Sequence, residues 1–378
     1  MDEPAGGARR TRVLHAINSA ALGGGPQHVF DLITGLPKDG YEFHVAVSDD
    51  GPFAERFRSA GALVHPVDMM SRRIQFRAAR ELRRIAEEIR PDLVHAHGTR
   101  AAFFVARALP AREGPRVVYT THGLALHLGA GPFQRPFYLR VERSLCDRFD
   151  AVITLSEDDA RGMVERGLLR DCSKMRVIPN GIRLEKFPPV GPSKAEVPVI
   201  GTVGRFVPQK GLSLLIEALA ILKGAGSTPF RAILAGDGPE RAHLQRLAAR
   251  RGFADRIEWP GAVEDAAAWY PKFSLFVLVS LWEGFSLSML EAMATGVPVI
   301  ATEGCGMGEL LRHGETGMRV PNGDAPTLAA ALRRALEDPR GAQRMAERAR
   351  VLLRERFTLE AFTGATEKVY RDLLGAGR

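Results

Sequence analysis

The chain has 378 residues, 45% of them hydrophobic and 25% charged, with a formal net charge of +8 and a pI of about 9.7. That length exceeds one ordinary hydrophobic core and suits two domains. No apolar run approaches the ~20 residues of a bilayer span, and Cys146, Cys172 and Cys305 stand too far apart for a disulfide framework or a metal knuckle. The first ten residues carry no apolar signal region, so the expected location is the cytoplasm. The positive balance fits nucleic acid, an anionic membrane surface or a phosphorylated substrate; the abundance of Ala, Gly and Arg is equally well produced by a GC-rich genome.

Strand-like and helix-like segments alternate throughout, the signature of parallel α/β sheets. In the first half, strands are expected at Arg12–Ile17, Glu42–Ser48, Leu63–Val67, Leu93–His97, Val117–Thr121, Ala151–Leu155 and Met175–Ile178, with helices such as Gln27–Leu36, Ala78–Ile89 and Phe137–Arg148 between them. Four prolines between Pro188 and Pro198 interrupt the pattern and read as a linker. Strands resume at Val199–Val203, Ala232–Ala235, Ile257–Trp259, Leu275–Ser280, Val297–Ala301 and Met318–Val320, and a last helix is expected over Phe357–Leu374. The expected division is therefore residues 1–186, a linker 187–197, a second doubly wound domain 198–355, and a terminal segment 356–378.

The most informative stretch is Glu283-Gly284-Phe285-Ser286-Leu287-Ser288-Met289-Leu290-Glu291. A buried strand leads into it and a helix leads out, which places the turn where open α/β sheets bind ligands. Free N–H groups at the helix start suit an anion. The two carboxylates do not, and suit hydroxyls. Phosphate plus hydroxyls points to a nucleotide sugar. Arg205 and Lys210, in Gly204-Arg205-Phe206-Val207-Pro208-Gln209-Lys210-Gly211, follow the second domain's first strand and could neutralise a diphosphate without a metal. The absence of Asp-x-Asp agrees with that solution.

The remaining motifs are weaker. Gly23-Gly24-Gly25 is neither the dinucleotide pattern nor a P-loop. His122, in Thr121-His122-Gly123, reads equally as a ligand to a sugar or as a structural histidine. His15, His95, His97 and His127 show no metal-like spacing, and no metal is expected. Gly236-Asp237-Gly238-Pro239 reads as a turn with Asp237 on backbone amides. Glu309 reads as an acid near a helix start or, no more readily, as a ligand to a bound group, and Asn180-Gly181 as a turn towards the linker.

Together and in this order, these motifs resemble the retaining GT-B glycosyltransferases of family 4, the group 1 glycosyltransferases, over nearly the whole chain. Arg183 departs from the Asp that the family usually has after Asn-Gly-Ile, which touches linker geometry more than chemistry. The resemblance implies two Rossmann-like domains facing across a cleft, with the final helix returning to the first. It implies that Arg205 and Lys210 bind the diphosphate of a UDP-, GDP- or ADP-sugar, that Glu291 holds the ribose and that Glu283 contacts the sugar. Backbone of Gly284, Phe285, Ser286 and Leu287 then meets sugar and phosphate, Val263 lies by the base, Gly24 approaches the diphosphate and His122 lies near the reacting centre. It implies no cofactor beyond the donor, and a hydroxyl acceptor that is a glycan, a lipid-linked sugar or a small molecule, with envelope glycan synthesis as the expected setting.

Two other readings stand beside this one. A basic binding module for nucleic acid would need Arg and Lys clustered with aromatics, and aromatics are only 7%; nucleic acid is not an expected partner. A sugar-nucleotide epimerase or donor hydrolase would keep the fold and change the reaction. Separately, the basic stretch Ser71–Arg84 and the aromatic residues Phe133 and Phe137 are suited to an anionic inner-membrane face, although a solvated helix is the simpler account.

Overall fold

The structure is a computed structural model and describes residues 9–71, 75–110, 114–123, 134–191, 196–226, 228–305 and 308–375. The expected residues Phe133 and His127, the arginines 72 and 73 and the linker positions 192–195 lie outside them, and the side chain of Cys305 is likewise not described.

The first sheet contains β1 (Thr11–Ile17), β2 (Tyr41–Val47), β3 (Leu63–Pro66), β4 (Leu93–His97), β5 (Arg116–Thr120), β6 (Ala151–Thr154) and β7 (Met175–Val177). Its helices are α1 (Gly24–Gly35), α2 (Pro52–Ser59), α3 (Gln75–Ile89), α4 (Thr99–Ala108), α5 (Arg135–Arg148) and α6 (Glu157–Glu165). The second sheet contains β8 (Val199–Val203), β9 (Arg231–Ala235), β10 (Ile257–Gly261), β11 (Leu275–Leu278), β12 (Val299–Thr302) and β13 (Met318–Val320). With it go α7 (Leu212–Gly224), α8 (Arg241–Arg250), α9 (Leu287–Thr295), α10 (Ala325–Glu337) and α11 (Pro339–Arg356), whereas α12 (Leu359–Gly375) groups from Phe362 onward with the first sheet.

Strand order is β3-β2-β1-β4-β5-β6-β7 in one sheet and β10-β9-β8-β11-β12-β13 in the other, with every pairing parallel. Both are Rossmann-like orders, and the direction of winding reverses between β1 and β4 and between β8 and β11. Central strands such as β4, β6, β11 and β12 are buried along their whole length, as crossover helices on both faces require. In α3 the expected apolar stripe, Ala78, Leu82, Ile85 and Ile89, is buried while Arg77, Arg80, Arg83 and Arg84 are exposed.

Element ends shift by a few residues for local reasons. β11 stops at Leu278 because Ser280 turns its hydroxyl to Glu283 and the Leu281 amide donates to Gln209 O at 2.8 Å. β12 starts at Val299 because the Val297 amide closes α9 on Ala292 O and Pro298 has no N–H.

By contacts the described residues form two units. Unit 1 lies within Met1–Leu155, Ala160–Ile178 and Phe362–Arg378; unit 2 lies within Ser156–Asp159 and Pro179–Ala361. This division falls earlier than the expected boundary at residue 186. The reason is that Ile182 accepts from the Leu359 amide and donates to Phe357 O, which ties the segment to unit 2. The linker is also partly anchored, since the Val190 amide donates to Thr295 O at 2.8 Å.

Candidate active site

In unit 2 the winding reversal is furnished by the two loops that sequence alone singled out. The Gly204-Arg205-Phe206 turn leaves β8 and is pinned by backbone. Gly204 N donates to Ala235 O (3.0 Å), Phe206 N to Asp237 O (2.8 Å) and Glu240 N to Phe206 O (3.0 Å). Phe206 is fully buried and meets Trp259 edge-on at 5.9 Å, so the neighbouring Arg205 is held outward. Arg205 has no side-chain hydrogen bond or ion pair among the described residues.

The Gly236–Pro239 turn does more than the sequence reading gave it. Asp237 does accept from the Gly238 amide at 2.7 Å. But Gly236 also lies so close to the arginine turn that a Cβ would sit 1.9 Å from Gly204 O. The glycine is required there by close approach and by its φ of +155°. A single Gly-Asp-Gly-Pro turn carries no local sign that its partner is a loop thirty residues upstream.

Lys210 ends a short 3₁₀ turn, Pro208–Lys210, and forms an ion pair with Glu283 Oε1, which also accepts from Ser280 Oγ at 2.8 Å. Both side chains are mostly shielded, at 18% and 11% exposure. Gln209 Nε2 donates to Trp282 O at 2.9 Å, so the loops after β8 and β11 are stitched together. Arg205 and Lys210 line one small cavity with residues at the ends of β8 and β11. The structure therefore brings Arg205, Lys210 and Glu283 together at one sheet edge.

Glu291 is held separately. It lies in the second turn of α9, and its Oε2 accepts from Tyr270 OH at 2.5 Å. Burial and the adjacent carboxylate hold the Tyr270 phenol well above its ordinary range, so it remains a donor. Gly284, Phe285 and Ser286 are buried before α9, which Ser286 opens with no side-chain cap on its amides, and Leu287 is the first helical residue. Asn180, read in sequence as a linker turn, donates to Phe285 O at 3.4 Å and so braces this segment. Val263 is half-buried just past β10. Glu309 is not at a helix start: it lies in a turn, where burial and then Asp158 raise its carboxyl.

In unit 1 the glycine turn opens α1, with Gly24 as first residue and Gly23 before it in extended conformation. His122 follows β5, with φ +50°, a left-handed backbone that a non-glycine residue adopts only under constraint. Around it stand histidines that are remote in sequence. Parallel pairing places His15 of β1 opposite His95 of β4, and His97 one pleat further. His15 Nδ1 is 3.0 Å from His97 Nε2, and His97 Nδ1 is 3.2 Å from His122 Nε2. His95 meets Tyr370 OH at 2.6 Å and Thr120 Oγ1 at 2.7 Å. His28 of α1 packs edge-on to His122 at 4.6 Å.

Sequence spacing showed no such cluster, because the sheet, not the chain, makes the neighbours. The ring nitrogens of His15, His95 and His97, and those of His28, His97 and His122, lie within 4.8 Å of one another, so either triad could hold a cation. Burial keeps the rings neutral: His15 is pulled down to about 3, and His95, His97 and His122 well below their ordinary value, with neighbouring imidazoles adding to the effect.

Comparison with known proteins matches both units. The family described as glycosyl transferases group 1 covers residues 185–352, and that described as Glycosyltransferase Family 4 covers residues 22–186. The lipopolysaccharide core biosynthesis mannosyltransferase LpcC of Rhizobium leguminosarum bv. viciae is 34% identical over 71% of this chain and 82% of its own. The lipopolysaccharide core biosynthesis glycosyltransferase LpsD of Rhizobium meliloti (strain 1021) is 27% identical over 97% of this chain and 98% of its own. Among solved structures, Anabaena HepE in complex with UDP and glucose superposes with a TM-score of 0.82 at 24% identity, covering 96% of this chain and 100% of that one. With two Rossmann-like sheets of GT-B type and both family matches end to end along it, the chain belongs to the group 1, family 4 glycosyltransferases and is a glycosyltransferase.

Proposed function

We propose that this enzyme moves a hexose from a nucleoside diphosphate sugar to a hydroxyl acceptor, with retention of anomeric configuration and with protein cations in place of a bridging metal. The observation that carries the reading is the placement of Arg205, Lys210 and Glu283 at the winding reversal of unit 2. Two cations beside an uncapped helix start form a preorganised seat for a diphosphate. Negative charge grows on that group as the anomeric C–O bond breaks, so fixed cations stabilise the transition state more than the ground state. Glu283 and Glu291 then serve as hydroxyl acceptors, for sugar and ribose respectively, the Tyr270 contact fixing the rotamer of Glu291. Gly24 leaves backbone open to the diphosphate, and the segment at Val263 suits the base. His122 serves the transfer step by hydrogen bonding.

None of these motifs offers an evident carboxylate nucleophile. The proposed route is therefore front-face transfer through a short-lived ion pair, with the leaving phosphate accepting the acceptor's proton. The acceptor class is an envelope glycan or lipid-linked sugar, in keeping with relatives named for lipopolysaccharide core synthesis. Among the described residues no helix is long and apolar enough to cross a membrane. A peripheral contact with anionic lipid is proposed through α3 and α5, where Phe76, Arg77, Arg80 and Phe137 are exposed.

The test is a panel of UDP-, GDP- and ADP-sugars with chelator present, scored by thermal shift and by sugar release with and without acceptor. One base is expected to stabilise the protein and one donor to turn over with chelator present. Stabilisation by none of them would refute the donor reading; turnover only on adding a divalent ion would refute the metal-free part. Release without any transfer would select the hydrolase.

A further inference from the structure

The three rings His15, His97 and His122 form a line of nitrogen contacts at 3.0 and 3.2 Å, and each junction holds one hydrogen. Since burial keeps all three neutral, every ring has one N–H and one bare nitrogen. Only two arrangements satisfy both junctions. In one, His122 Nε2–H donates to His97 Nδ1 and His97 Nε2–H donates to His15 Nδ1. That leaves the hydrogen of His15 on Nε2, a buried atom to which no group among the described residues offers a partner. In the other, His15 Nδ1–H donates to His97 Nε2 and His97 Nδ1–H donates to His122 Nε2. Then His15 Nε2 is a bare lone pair and no N–H is orphaned. Buried orphan N–H groups are the rarer and costlier defect.

We infer that His97, backed by His15, is a positioning residue that locks His122 in the Nδ1–H tautomer, so that His122 can act only as a hydrogen-bond donor through Nδ1. The assignment rests on the reading that His122 serves the transfer step, but the tautomer itself exists without any substrate. Geometry supports the lock. The positive φ of His122 fixes where its Cβ starts, and the ring of His28 packs nearly perpendicular to its own at 4.6 Å. His95 stands outside the line, both its nitrogens being engaged by Tyr370 and Thr120. A ring held in this way can give a hydrogen through Nδ1 and cannot serve as the base for the acceptor hydroxyl, which deepens the proposal that the leaving phosphate takes that proton.

Long-range ¹H–¹⁵N spectra of the full chain labelled at histidine read the tautomer directly. His122 is expected to show a protonated Nδ1 and a bare Nε2 in the free enzyme. His97→Phe is expected to release it into a mixture of tautomers and to lower kcat on the order of 10-fold or more with little change in donor KM. His97→Asn, whose amide can supply the hydrogen that His97 Nδ1 supplied, is expected to recover most of that loss. A protonated Nε2 on His122 in the wild type overturns the inference, as does a zinc ion that co-purifies one to one and shifts all three rings. Equal kcat in the Phe and Asn variants overturns the positioning role. If the tautomer is as stated but no nucleotide sugar is turned over, the transferase reading fails and the tautomer assignment stands.

Discussion

Two sheets with the same central strand order carry opposite chemistry at the ends of those strands. In unit 2, β8 and β11 end in an ion pair, Lys210 with Glu283, beside an exposed guanidinium. In unit 1, β1 and β4 carry imidazoles held neutral by burial, His15 inside β1 and His97 as the last residue of β4, and His122 joins them from just after β5. The difference lies in where water reaches. A cation that must meet a diphosphate keeps a foothold in solvent or a carboxylate beside it, because an uncompensated buried charge is costly. A ring that must present one hydrogen is better dry, where its protonation is suppressed and its tautomer can be fixed. Corresponding strands of the two sheets thus lead to a charged loop pair in one unit and to buried neutral rings in the other.

Lys210→Ala breaks the charged side most deeply. It removes a cation and leaves the Glu283 carboxylate facing the place meant for phosphate. Loss of about 10²–10³ in kcat/KM is expected, together with severe loss of nucleotide binding by calorimetry. Glu291→Ala is expected to weaken the same binding. Wild-type nucleotide affinity in both variants would end the assignment of unit 2 as the donor seat.

Glu283→Gln sharpens the comparison. In the free enzyme Glu283 neutralises Lys210, so its removal should leave nucleoside diphosphate affinity unchanged or tighter. Its proposed contact with the sugar should nevertheless cost about 1–2 kcal/mol in the transition state, a fall of roughly 5- to 30-fold in kcat/KM. A parallel fall in diphosphate affinity would make Glu283 a support for the lysine and nothing more.

The charged side was legible in sequence because its parts are loop residues close to strand ends, where alternation of strand and helix already fixes their location. Arg205, Lys210, Glu283 and Glu291 could each be placed from the strand before them. What could not be read was the bracing between loops. Asn180 on Phe285 O, Gly236 under Gly204, and Tyr270 on Glu291 each join positions from 21 to 105 residues apart. The neutral side was harder still. His15, His95 and His97 sit inside strands, where periodicity predicts burial for any residue, and their contact depends on β4 pairing with β1 across the winding reversal. The expected strand list was enough to draw both sheets, but strand order is a tertiary choice, and only that choice makes five histidines neighbours.

The smallest expected effect concerns stability, and it separates the two units without any ligand. An unfolded histidine titrates near 6.5, whereas His15 is held down to about 3 and His95, His97 and His122 lie well below their ordinary value. Below pH ~6.5 the unfolded chain therefore binds protons that the folded chain refuses, and stability falls as the pH drops, by at most about 1.4 kcal/mol per pH unit for each such ring. The histidines of unit 2, His243 and His313, are both exposed. All three tryptophans, Trp259, Trp269 and Trp282, lie in unit 2, so indole fluorescence follows that unit while far-ultraviolet dichroism follows both. Between pH 7 and 5 the dichroism melt is expected to move to lower temperature ahead of the fluorescence melt. His15→Gln removes one titrating ring and should flatten the acid limb by up to that single-ring slope, although it also costs packing at every pH. Coincident melts at every pH, with no change of slope in His15→Gln, would mean that the buried imidazoles find their protons in the folded state, and the contrast between a charged and a neutral strand end would lose its physical basis.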